Sequence, residues 1–136
     1  MKDNAPGMTL IVKTITRLTV GLIMIYGVYI VAQGETTPGS GFAGGVIIAL
    51  SFIHVMLAYG KEVAVKKIDV RRGLLLAGSG ASAFLTFVAL GIFGGARRTG
   101  PPLLLAECAI AVMVGAGIFV IFLALVLLVE DVSKRR

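Results

Sequence analysis

The chain has 136 residues, of which 57% are hydrophobic, 15% charged and 18 are glycine. With a mean hydropathy of +0.99, this composition excludes disorder and argues against an ordinary soluble domain. The 13 basic residues outnumber the 7 acidic ones, a formal net charge of +6, but the excess is gathered at particular connections. It therefore reads as membrane sidedness and not as affinity for nucleic acid. A single cysteine, Cys108, excludes an intrachain disulfide. With one histidine besides, no metal set of the usual kind can be built from this chain alone, and no cofactor is expected.

In chain order, the apolar blocks predict helices over about 8–33, 43–60, 73–94 and 103–129, each long enough at about 1.5 Å per residue to cross most of a hydrocarbon core roughly 30 Å thick. The expected fold is all-α: one polytopic domain of four transmembrane helices, residues 1–136, in a prokaryotic plasma membrane. The first span is not a signal peptide, because Val31, Ala32 and Gln33 offer no small-x-small cleavage site. Four crossings place both termini on one side. Lys2, Lys13, Arg17, Lys61, Lys66, Lys67, Arg71, Arg72, Lys134, Arg135 and Arg136 then share that side, against Arg97 and Arg98 on the other. By the positive-inside rule the termini are cytoplasmic. The short connections leave no soluble domain for a nucleotide or redox group, so the chain itself is expected to be non-catalytic.

The first connection, Gln33 to Gly45, carries five glycines and Pro38. Gly39, Gly41 and Gly44 spell G-x-G-x-x-G, but a dinucleotide fingerprint needs a soluble strand–turn–helix around it, and here membrane helices flank it. A turn at the outer face fits better: Pro38 stops the first helix, and Gly41 with Gly45 forms a G-x-x-x-G for close packing. Two roles stay open for this turn. Either the free N–H groups at the start of the second helix line an ion entrance together with Glu35, or the glycines serve helix packing alone.

At this segment the chain resembles the B subunit of the multisubunit sodium/proton antiporters of the Mrp (Mnh) type. Those chains carry a Pro-Gly-Gly-Gly-Phe-x-Gly-Gly-like motif, matched here by Pro38, Gly39, Gly41, Phe42, Gly44 and Gly45. Ser40 stands where a glycine is usual, and Glu35 where relatives often have histidine. The resemblance spans nearly the whole chain, including an acidic residue, Glu107, that opens the last helix. It implies a non-catalytic subunit embedded among other membrane subunits of a cation/proton antiporter, with sodium ions and protons as the moving species. Similar subunits also occur in the antiporter-like arms of ferredoxin-linked hydrogenases and related respiratory complexes.

Independently of the resemblance, His54 and Glu107 are the ionisable residues deep in the spans. Such groups are functional candidates because an uncompensated charge there is costly. His54 serves either as a neutral imidazole bonded to a neighbouring helix or as a proton relay. Glu107 has Ala111 and Gly115 on its face, which predicts a partner helix close by. Counting helical rise separates the two groups by roughly 10 Å in depth, too far for a direct proton transfer, so the chain is not expected to exchange ions alone. A stand-alone small multidrug exporter would need an acidic residue in the middle of its first helix, and this helix has none. Cys108 is expected to be a small buried side chain. Small residues at Gly73, Ala77, Ala81, Gly91, Gly95, Gly115 and Gly117 predict close helix packing in lipid.

Overall fold

A computed structural model describes residues 10–34, 36, 37, 39–60, 70–93 and 101–134. Among the described residues there are four α-helices: α1 (Leu10–Ala32), α2 (Ser40–Tyr59), α3 (Val70–Phe93) and α4 (Pro101–Lys134). All four are long and apolar enough to cross a membrane, α4 over its stretch Leu103–Val129.

Several boundaries differ from expectation, Val70 instead of 73 at the start of α3 among them, and two have a clear physical reason. Helix α2 begins at Ser40, so Gly41, Gly44 and Gly45 are helical, and among the described residues of the stretch only Gly39, at φ 86°, takes the left-handed conformation that glycine tolerates. Glycine disfavours helix in water, but in lipid a helix that satisfies its own backbone is strongly preferred, which overrides the propensity. Helix α4 runs five residues past the apolar stretch, because a helix once formed gains a hydrogen bond with each added residue whatever its side chain. Hydropathy marks the lipid-buried part of a helix and not its end.

Consecutive helices run antiparallel, yet their order in space is α1, α2, α4, α3. Helix α2 packs on α1 and α4, whereas α3 packs on α4 and stands at the edge of the bundle. Two packing modes divide the bundle along its length. Near the end where α2 starts, backbones meet through glycines: Gly44 lies against Val31 and the carbonyl of Gly27, and Gly45 lies 2.7 Å, measured from where a Cβ would sit, from the Ala111 carbonyl. Near the opposite end, side chains fill the space: Met56, Phe119 and Leu123 form a buried cluster under Ile53, Val70, Phe122 and Val126. Phe52 and Phe119 meet edge to face with ring centres 6.1 Å apart. In lipid, apolar surfaces gain little from mutual exclusion of solvent, so it is such close contact that holds helices together.

Of the small residues expected at packing faces, Gly73 is buried on α4 and Gly115 meets Gly45, whereas Ala77 and Ala81 are half-buried; Gly80, not among them, is buried against α4. Gly91 and Gly117 instead have open space around them. Gly95 lies outside the described residues.

Candidate functional site

The α2 start determines the site. A helix opens with N–H groups that have no intrahelical acceptor, and Gly39 in the capping position has no side chain to offer one. The acceptor comes from α4: Oε2 of Glu107 receives the N–H of Gly41 at 2.6 Å. The carboxylate thus lies at the positive end of the α2 dipole, where negative charge is favoured. Glu107 is 7% exposed, and its surroundings are shaped to admit it. A Cβ on Gly34 would stand 2.7 Å from the Glu107 Cγ, and one on Gly41 would collide with both the carboxylate and the main-chain carbonyl of Glu107.

Ser40 completes the pocket. Its hydroxyl is within 3.3 Å of the same Gly34 Cβ position that Glu107 approaches. The hydroxyl is buried and has no hydrogen-bond partner among the described residues, a costly arrangement for a polar group. Turns formed by Gln33, Thr36 and Thr37 close the connection, with the Thr36 and Thr37 N–H groups both donating to the Gln33 carbonyl at 3.0 Å.

The structure therefore brings Gly41, Glu107 and Gly45 to one helix crossing, with Ala111 and Gly115 as the small face on α4. Gly44 faces α1 instead, and Phe42 points outward at 58% exposure. The three glycines of G-x-G-x-x-G have three separate jobs: a left-handed cap, a seat for Glu107 and a contact with α1. Glu35 and Pro38 lie outside the described residues. Cys108 is exposed, not buried as expected. One residue turns a helix by about 100°, so a Glu107 aimed at α2 swings its neighbour out of the bundle.

His54 lies elsewhere. It is half-buried, and its Nε2 shares a 3.2 Å hydrogen bond with the hydroxyl of Thr16 on α1, the donor depending on the tautomer. Thr14 and Thr19 donate to carbonyls of their own helix, whereas Thr16 is 2% exposed and turned across to α2. One turn further along, the Tyr59 hydroxyl donates to the Lys13 carbonyl at 3.3 Å. Glu107 sits at the level of Gly41, thirteen residues along α2 from His54, so about 20 Å separates them. The expected 10 Å was too short because it counted each helix from its own end without their mutual register. Thr16, Ser40 and Gly34 escaped sequence reasoning: a threonine in a membrane helix usually bonds to its own backbone, and nothing local says which glycine makes room for which side chain.

A family model described as "Domain related to MnhB subunit of Na+/H+ antiporter" matches residues 11–130. Proteins named "Putative antiporter subunit mnhB2" from Staphylococcus aureus strains Newman and JH1 are each 30% identical over 76 residues. That stretch is 56% of this chain and 51% of theirs, so the match spans about half the length of these curated relatives.

Proposed function

The chain belongs to the family of domains related to the MnhB subunit of Na+/H+ antiporters, and from that premise we propose that it is a small, multi-pass, non-catalytic subunit of a multisubunit cation/proton antiporter. Other membrane subunits surround it, its termini face the cytoplasm, and sodium ions and protons are the species that the whole complex moves. Glu107 is the residue of this chain that contributes to the ion path; His54 tunes or braces the opposite end.

The observation that carries this reading is the environment of Glu107. A buried carboxylate held by one N–H at a helix start is compensated enough to persist in lipid, yet keeps acceptor capacity for a proton or cation. Autonomous exchange does not follow, since about 20 Å with no further Asp, Glu, His, Lys or Arg between the levels of Glu107 and His54 is far beyond one proton transfer. The remaining titratable groups belong to neighbouring subunits.

The test is sodium-driven proton movement in vesicles that carry the whole complex with Glu107→Gln. Glutamine keeps an acceptor for Gly41 but neither ionises nor takes up a proton. Complex abundance is expected to stay at the wild-type level while coupled transport falls at least several-fold. Unchanged transport and unchanged pH dependence would leave Glu107 as a helix cap and nothing more.

A further inference from the structure

Helices α2 and α3 both lean on α4 without packing extensively on each other, and the space between them is a cleft of about 290 Å³. Its walls are apolar throughout: Ile48 and Phe52 from α2, Gly73 and Leu76 from α3, and α4 from Ala111 to Phe119. Along α4 that is about 12 Å. A single acyl chain fits the shape. An unfilled cleft would forfeit dispersion contacts along all three walls, so in a bilayer it is filled.

Charge identifies which lipid. Arg72 is exposed and stands one turn before Leu76 on the same flank of α3, at the end of the cleft towards the helix start. Arg71, also exposed, points to the opposite side of α3 from Gly73, since two residues turn a helix by about 200°. Lys13 and Arg17 of α1 lie at the same end of the bundle, because α1 starts beside the end of α2. A guanidinium at the mouth of an apolar slot matches a phosphate at the head of an acyl chain, by charge and by its paired N–H donors.

We propose that this cleft is a binding site for an anionic glycerophospholipid, one acyl chain lying between α2 and α3 against α4 and the phosphate held by Arg72. Glu107 does not line the cleft, whose α4 wall begins one turn further along at Ala111. The lipid gives α3, the edge helix, a second neighbour in place of a protein one.

The test is native mass spectrometry of the complex, extracted from its own membrane in mild detergent, with the phospholipids retained by this chain identified. Wild type is expected to retain one anionic phospholipid in preference to a zwitterionic one. Arg72→Gln is expected to lower that retention about tenfold, equivalent to roughly 1.4 kcal/mol, and Arg71→Gln to leave it within twofold. Val112→Phe, which narrows the cleft from a half-exposed position, is expected to reduce retention of either lipid class. Equal retention by wild type and Arg72→Gln, or equal losses from Arg71→Gln and Arg72→Gln, would overturn the site. So would efficient cross-linking from Val112→Cys to another subunit, which would put a protein helix in the cleft.

Discussion

Replacing Gly41 with alanine tests the crossing of α2 and α4 most directly. The new methyl group would collide with the carboxylate of Glu107 and with its main-chain carbonyl. A side chain can rotate away, but the carbonyl belongs to the α4 backbone, so the helices must part. Overpacking of this kind costs about 1–3 kcal/mol, and loss of the charge-assisted bond from the Gly41 N–H costs about 1.5–3 kcal/mol. Alanine returns up to about 1 kcal/mol through its better helix propensity. The net destabilisation is then about 1.5–6 kcal/mol. Gly117→Ala is the control: nothing lies within 4 Å of its Cβ position, so propensity alone acts and the chain gains up to about 1 kcal/mol. Thermal unfolding of the purified chain in lipid nanodiscs measures both. At about 2–4 °C per kcal/mol, Gly41→Ala should melt roughly 3–24 °C below wild type, and Gly117→Ala at or slightly above it. Equal melting of the two variants would refute the placement of Glu107 against α2.

Three further outcomes follow from single contacts. Ser40→Ala removes a buried hydroxyl without a partner among the described residues and should stabilise the purified chain by about 1 kcal/mol in the same melting assay; a loss instead would mean that the hydroxyl is bonded. Thr16→Val, which keeps the volume and deletes the bond to His54, should cost about 0.5–1.5 kcal/mol while coupled transport by the complex stays at its wild-type rate. Leu123→Ala opens a cavity at a fully buried position; because lipid rather than water is the alternative surrounding, the expected loss is about 1–3 kcal/mol, below the range seen in soluble cores. A melting point unchanged by Leu123→Ala would place that side chain outside the core.

The four spans were legible in the amino-acid order because the bilayer imposes a one-dimensional rule: about twenty apolar residues with satisfied backbones make a crossing. The gathering of Lys13, Arg17, Arg71 and Arg72 at one end of the bundle follows from the same rule, as does the turn around Gly39, where only a residue without a Cβ adopts φ 86° readily. Glu107 and His54 stood out for an equally local reason, the cost of a polar group in hydrocarbon.

What these residues touch is not local. The start of α2 at Ser40, within a run that propensity would leave as loop, comes from the need to satisfy backbone groups in lipid. That Glu107 caps α2, that Cys108 faces outward and that α3 stands at the edge beside α4 all depend on which glycine faces interlock. Such faces recur on every helix here, at Gly27, Gly44, Gly45, Gly80 and Gly115, and equally at Gly78, Gly91 and Gly117, which meet nothing. Close packing is a property of pairs of surfaces in register, so composition names the candidates and the three-dimensional arrangement of the helices selects among them.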